Sequence, residues 1–360
     1  VENDLDFELR FPDVANYSPE EMVIYNEEWH KVGDVREWEK LGYGVRVYRT
    51  IKARELWNLI NICATYAAEP GIFFIDNANE MTNAKAYGQQ VVATNPCGEQ
   101  PLAPYSVCNL AAVNLAQFAI KDSQSVDYEA LRQTVKVGVR MQDNVIDATP
   151  YFLEENKTQA LGERRVGLGV MGLADLLIYC EKEYGSEEGN ELVDEIFKTI
   201  AIAAYEASIE LGQERGSFPF LQGETAAETA RLREAFVNTG FMKKMPQHVR
   251  DGVREFGIRN SHLLTVAPTG STGTMVGVAT GLEPYFSFTY YRSGRLGKFI
   301  EVKAEIVQEY LAANPDADEH NLPHWFVSSM QLTPEAHADV QCIIQNWIDS
   351  SISKTVNAPK

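Results

Sequence analysis

Apolar positions recur along the chain with two periods. Between residues 51 and 68, Leu56, Leu59, Ile60, Cys63, Tyr66 and Ala67 fall on one helical face, and Pro70-Gly71 ends the pattern. Ile72-Phe73-Phe74-Ile75 is a short unbroken apolar run, which reads as a buried strand. Residues 109–115 form a second strand candidate, and 127–147 a long helix. Residues 166–170 read as a strand running into a helix through Cys180. Helical spacing returns over 188–213, and in more polar, peripheral form over 225–237 and 246–256. Residues 262–267 suit a strand that runs into Pro268-Thr269-Gly270. Thr333 as N-cap and Pro334 at the first position open a last helix reaching about residue 351. Strands alternating with helices predict parallel βα units. No repeat, low-complexity stretch or Gly/Ser linker divides the chain, so one continuous α/β domain is expected.

Composition narrows the partners. With 45 % apolar and 23 % charged residues the chain has a soluble globular profile, and no run of eighteen apolar residues could span a membrane. A formal charge of −19 repels nucleic acid and anionic lipid, so neither is an expected partner. An anionic small substrate would need a local pocket of backbone donors and a few cations. Five irregularly spaced cysteines without a Cys-x-x-Cys suggest neither a disulfide scaffold nor a structural zinc site, and no metal ligands are assigned. A reducing, cytoplasmic setting fits those thiols. The acidic opening Val1-Glu2-Asn3-Asp4-Leu5-Asp6 has no signal-peptide character, and the absence of an initiator Met fits a processed chain or part of a longer one.

The densest chemistry lies in Asn95-Pro96-Cys97-Gly98-Glu99-Gln100-Pro101-Leu102. In an extended tip, alternate residues face one way, which would converge Asn95, Cys97 and Glu99 on one small volume. Pro96 and Gly98 suit a rigid tip better than a ladder strand. The same residues also suit an ordinary surface turn with a packed cysteine. Cys108 follows in Pro104-Tyr105-Ser106-Val107-Cys108-Asn109-Leu110, where a return strand could bring it under the Cys97 tip; packing in a strand core is the alternative. Two thiols near one carboxylate suggest redox or radical chemistry. A cysteine hydrolase would need a histidine base, and neither His30 nor His248 sits in an informative context.

Pro268-Thr269-Gly270-Ser271-Thr272-Gly273-Thr274 follows a strand candidate with small residues and hydroxyls. It suits a phosphate cradle without the Gly-Lys-Ser/Thr ending of a nucleotide-hydrolysing loop, and it also suits a flexible turn. Gly167-Leu168-Gly169-Val170-Met171-Gly172 matches a dinucleotide fingerprint. Yet Glu163-Arg164-Arg165 stands where a buried strand should be, and Asp175 is only three residues on. Close strand–helix packing explains those glycines better. Cys63 and Cys180 lie on apolar helical faces and read as structural, Cys342 less clearly so. Glu20-Glu21 and Glu187-Glu188 read as solvated surface.

Taken together, NPCGEQPLAPYSVCNLAAVNL, RRVGLGVMGLADLL, APTGSTGTMVGVATGLEPYFSF and SISKTVNAP resemble, in order, the large catalytic chain of ribonucleotide reductases, specifically the adenosylcobalamin-dependent class. Ala111-Ala112 depart mildly from a more usual Gly-Ser. The resemblance implies a ten-stranded α/β barrel with the Cys97 finger loop through its centre, here as a single catalytic barrel domain over 1–360 and a partial barrel. It implies that the family's effector region and first reducing cysteine lie upstream of this start, and its Cys-x-x-Cys tail beyond Lys360.

The resemblance also implies a chemistry. Cobalt–carbon cleavage would yield a radical that takes hydrogen from Cys97, whose thiyl would abstract the ribose C3′ hydrogen. Glu99 would act as general base on the 3′-hydroxyl. Asn95 would hold the ribose hydroxyls, and Cys108 would be one member of the reducing pair. Pro268, Thr269, Gly270, Ser271 and Thr272 would hold the phosphates of a ribonucleoside di- or triphosphate. The implied partners are a thioredoxin-type reductant, the missing N-terminal part or a complementing chain, and a second copy as homodimer. The alternatives are a large subunit served by a partner metal-radical subunit, a cysteine-nucleophile amidase, and a non-catalytic fragment.

Overall fold

The computed structural model describes residues 1–294 and 297–358, which form two compact units, 1–75 and 76–360. In the first unit, β1 (Asp6–Pro12) pairs antiparallel with β2 (Val45–Lys52). Between them lie α1 (Pro19–Val32) and α2 (Val35–Lys40). Ser18 and Glu21 form a reciprocal capping box at the start of α1, so one member of the Glu20-Glu21 pair has a local task. Trp38 is fully buried against Tyr25, Trp29 and Tyr43, with its indole N–H donated to the Tyr17 hydroxyl at 2.8 Å.

α3 (Ala53–Ala67) confirms the helix expected over 51–68, but its apolar face is not buried: Leu59, Ile62, Cys63 and Tyr66 are all exposed. The structural reading of Cys63 is therefore corrected. The strand expected at Ile72-Phe73-Phe74-Ile75 is not formed either. Residues 71–74 are irregular with exposed side chains, and Ile75 begins α4 (Ile75–Met81). A four-residue apolar run carries no period, so burial had to be assumed to read it as a strand.

The second unit holds the main core. After α4 come the two-residue strands β3 (Ala93–Thr94) and β4 (Pro101–Leu102), then β5 (Asn109–Asn114). A short ladder of β6 (Ala119–Ile120) and β7 (Ser125–Val126) leads to α5 (Tyr128–Ala148) and α6 (Glu154–Glu163). β8 (Val166–Met171) is buried at every residue and runs parallel to β5, with Asn109 opposite Val166 and Asn114 opposite Met171. α7 (Leu173–Tyr179) follows, and Cys180 just beyond it is buried as expected.

α8 (Glu187–Arg215) is a 29-residue helix, capped by Ser186 and buried through its centre; its Glu187-Glu188 pair sits in the first turn, where acidic side chains meet the positive helix end. α9 (Ala226–Val237) buries Phe236 and Val237 at its end, and α10 (Gln247–Phe256) buries Val249 and Val253 on one face. Residues 262–267 are a strand only in part: isolated parallel bridges join Leu168 to Leu264 and Val266 to Ile352. α11 (Gly270–Met275), the antiparallel pair β9 (Thr289–Gly294) and β10 (Gly297–Lys303), and α12 (Glu305–Ala313) follow. α13 (Pro334–Gln345) is capped by Thr333, whose hydroxyl accepts from the Ala336 N–H at 3.2 Å, and ends short of the expected residue 351.

The parallel order is thus β5, β8, the segment 264–266 and the segment around Ile352. Among the described residues this arc stays open. The mixed α/β character holds, but among the described residues no closed barrel forms and the named strands pair as two-stranded ladders rather than ten in one wall. No helix of the described residues is long and apolar enough to cross a membrane.

Candidate active site

β3 and β4 form a hairpin in which Ala93 faces Leu102 and Thr94 faces Pro101. Its tip is a tight turn: the Gly98 N–H donates to the Asn95 carbonyl at 3.0 Å. Pro96 and Gly98 occupy the second and fourth turn positions, which those residues favour, and Gly98 has a left-handed φ of 79°. The Asn95 side chain closes the base by accepting the Gln100 N–H at 3.0 Å. Cys97, at the third position, is exposed.

The main chain of Glu99 pins this hairpin to the parallel arc. Its carbonyl accepts from the Thr265 hydroxyl at 2.7 Å and from the Ser351 N–H at 3.0 Å. The Glu99 side chain is 2 % exposed, and its Oε2 has no hydrogen-bond partner. A buried carboxylate oxygen left unpaired is costly and uncommon, and such atoms mark sites of chemistry. The three residues expected to converge therefore occupy three settings: Asn95 in the turn, Cys97 at the open tip, Glu99 buried below. Side-chain alternation holds only along extended backbone, and the left-handed Gly98 interrupts it.

Cys108 leads into β5. Its half-buried thiol donates to the Asn109 carbonyl at 3.3 Å and lines a cavity of ≈ 360 Å³ with Tyr151, Phe152, Asn156 and Arg165. Burial pushes this thiol well above its ordinary range; Arg165 works against that, and Glu163, Asp349 and Glu99 add to it. A group held as S–H is a poor thiolate nucleophile and suits hydrogen or electron donation better. Cys97 and Cys108 are both free thiols.

The small-residue loop starts three residues beyond Thr265, the residue that holds Glu99. Thr269 adopts a left-handed φ of 48° and precedes α11, while its hydroxyl accepts the Gly281 N–H at 2.7 Å. Pro268, Gly270, Ser271 and Thr272 are exposed. The first turn of any helix presents N–H groups without intrahelical acceptors, and here they lie beside the exposed hydroxyls of Ser271 and Thr272. The loop and the hairpin are anchored on one segment of chain.

Beneath both lies a polar network that sequence reading missed. Asp349 accepts from the Leu263 and Leu264 N–H groups at 2.7 and 3.0 Å and from the Tyr205 hydroxyl at 2.7 Å, which fixes the 263–264 segment. Burial raises its carboxyl to about 6. Glu163, Arg164 and Arg165 are all buried, with Arg164 paired to Asp143 at 2.9 Å and to Asp147 at 2.8 Å. The signal lay in the run itself: three charges abut VGLGVM with no turn between them.

The glycines of β8 are there for close contact, but with β5, the hairpin and the 264–266 segment rather than with a helix as expected. A Cβ on Gly169 would lie 2.5 Å from the Thr265 carbonyl, and one on Gly167 would meet Leu110, Gln100 and Thr265 at 2.7–2.8 Å. This leaves no room for a dinucleotide along the strand.

The chain is a member of the ribonucleotide reductase barrel-domain family, whose model matches residues 1–360. Among its relatives, the vitamin B12-dependent ribonucleoside-diphosphate reductase of Thermoplasma acidophilum is 31 % identical over 331 residues, 87 % of this chain and 40 % of the relative. The protein of that name in Mycobacterium tuberculosis is 31 % identical over 332 residues, covering 87 % and 44 %. The ribonucleoside-diphosphate reductase large chain of Cryptosporidium parvum is 31 % identical over 316 residues, covering 86 % and 38 %. The chain spans about two fifths of the length of these curated relatives.

Proposed function

We propose that the chain is the reacting segment of an oxidoreductase that converts ribonucleotides to 2′-deoxyribonucleotides by thiyl-radical chemistry, with Cys97 as the radical thiol. The observation that carries the reading is the unpaired, buried Glu99 Oε2 two residues from an exposed thiol on a pinned hairpin. In the reaction, the Cys97 sulfur would abstract the C3′ hydrogen of ribose and later return it. Glu99 would take the 3′-hydroxyl proton on its free oxygen. Because Asn95 Oδ1 is taken by Gln100, its Nδ2 is the atom left to donate to a ribose hydroxyl. The 2′-hydroxyl would leave as water, with Cys108 supplying one of two reducing thiols and a dithiol reductant of the thioredoxin type resetting the pair. Thr269, Gly270, Ser271 and Thr272, following Pro268, would hold the phosphates, and the relatives' names favour a diphosphate.

Adenosylcobalamin would meet the chain at the tip. Cys97 is open to a hydrogen acceptor arriving from outside the fold, and Pro96, Cys97 and Gly98 would face it. The cofactor would supply the radical equivalent that opens the S–H bond. The similarity to a large chain not named for the vitamin keeps a second reading, radical delivery by a partner subunit. The test is deoxynucleotide formation by the full-length protein given ribonucleoside diphosphate and a dithiol. Product only when adenosylcobalamin is added supports the first reading. Product only with a metal-radical subunit selects the second, and no product in either case refutes both.

A further inference from the structure

One buried cation lies between the two thiol-bearing segments. The Arg165 side chain is fully enclosed. Its Nη1 donates to the Pro101 carbonyl of the Cys97 hairpin at 3.3 Å. Its Nη2 lies 3.3 Å from His262 Nε2, and its Nε 3.5 Å from Glu163 Oε2. The same side chain forms part of the wall of the Cys108 cavity. Glu163 in turn accepts from the hydroxyls of Ser106, two residues before Cys108, and of Tyr87 at 3.4 Å. The pair therefore grips both segments: the guanidinium holds the hairpin, and the carboxylate holds the approach to Cys108.

Enclosing such a pair costs several kcal/mol of desolvation, and apolar residues of similar volume often pack as stably. The neighbouring Arg164 already anchors this end of β8 to α5 through Asp143 and Asp147. A second buried arginine is thus more than packing requires. His262 sets no charge against it: burial, then Arg165 itself, pushes the imidazole well below its ordinary range, so the ring is neutral. With Nδ1–H donated to the Ser261 hydroxyl, Nε2 can accept from the guanidinium and from the Thr82 hydroxyl, 3.0 Å away.

We infer that Arg165, paired with Glu163, is a positioning residue that ties the Cys97 hairpin to the Cys108 segment and sets a fixed positive charge in the wall of the Cys108 cavity. Its meaning for catalysis rests on the functional reading above; its geometry does not. The charged groups acting on Cys108 are Arg165, Glu163, Asp349 and Glu99, and Tyr151 shares the cavity wall. Of the charged groups, Arg165 favours the thiolate and the three carboxylates oppose it. Two separable effects follow, one on the hairpin's position and one on the thiol.

The test uses the full-length protein and needs no turnover. Iodoacetamide labelling of Cys108 is followed by peptide mass spectrometry between pH 7 and 10, with exposed Cys97 as internal reference. Amide exchange is followed over residues 93–102. Below its pKa a thiol alkylates in proportion to its thiolate fraction, so each unit of upward shift slows labelling about tenfold. Arg165→Met should slow Cys108 relative to Cys97 by about tenfold or more at every pH and speed hairpin exchange. At pH 7, where the ammonium paired with Glu163 is protonated, Arg165→Lys keeps charge without the planar fork, so it should restore most of the labelling rate but not the exchange protection. That split separates charge and positioning from mere filling of space. Where Arg165→Met fails to fold, the double variant Glu163→Gln/Arg165→Met removes both charges, and its hairpin exchange must still rise. A folded variant lacking Arg165 with wild-type labelling and wild-type hairpin exchange would overturn the inference. Absence of deoxynucleotide product would count against the proposed function and leave this inference standing.

Discussion

Gly169→Ala tests whether strand spacing sets the position of the hairpin. The new methyl would lie 2.5 Å from the Thr265 carbonyl oxygen, a backbone atom that cannot rotate away. Relief requires the 264–266 segment to retreat from β8 by about an ångström, and such overpacking costs about 1–3 kcal/mol. The retreat also strains the Thr265 N–H bond to the Leu168 carbonyl, 3.1 Å, and the Thr265 hydroxyl bond to Glu99, 2.7 Å. Each weakened bond adds up to about 1 kcal/mol. A chain of this size need not unfold in two states, so local amide exchange by mass spectrometry is the suitable assay. A loss of about 2 kcal/mol in local stability speeds exchange about thirty-fold. We expect at least that over residues 93–102 and 261–267, with far less change in the middle of α8. Gly270→Ala is the control, since its Cβ would meet nothing within 4 Å; it should be neutral or slightly stabilising. If Gly169→Ala left both segments exchanging like the control, the packing account of this strand would be wrong.

Two further outcomes follow from the same geometry. Burial raises Asp349 to about 6, so the folded chain keeps a proton that the unfolded chain loses near pH 4; stability should therefore fall by about 3 kcal/mol as pH rises from about 4 to about 6. Asp349→Asn should lower the denaturation midpoint but flatten its dependence in that window, and an unchanged slope would contradict the assignment. Ser271→Asp should weaken binding of a ribonucleoside diphosphate about tenfold by placing like charge beside the phosphates, and much less for the nucleoside, as read by calorimetry; equal weakening would remove the loop from the site.

The helices were legible because their apolar period is long enough to count: the patterns over 127–147, 188–213 and 225–237 reappear as α5, α8 and α9. The strand 166–170 was legible because no polar residue interrupts it. Residues 72–75 were misread because a short apolar run fits an exposed approach to a helix as well as a strand. The end of α13 was placed late because apolar residues continue past Gln345, with Trp347 and Ile348 packing outside any helix. The site was legible as a set of segments but not as geometry. That Glu99 is held by its carbonyl, with its Oε2 left unpaired, depends on Thr265 and Ser351, both far away in sequence. Glu163 and Arg165 were missed because paired charges are buried only by partners that local pattern does not reveal.

The central claim is that the Cys97 sulfur carries the radical. The most direct measurement is deoxyribonucleotide formation by the full-length protein and its Cys97→Ser variant, each supplied with ribonucleoside diphosphate, adenosylcobalamin and a dithiol, with nucleotide binding measured alongside. An O–H bond is much harder to open homolytically than S–H, so the account predicts intact nucleotide binding and no product from Cys97→Ser. Product from that variant at the wild-type rate would contradict it.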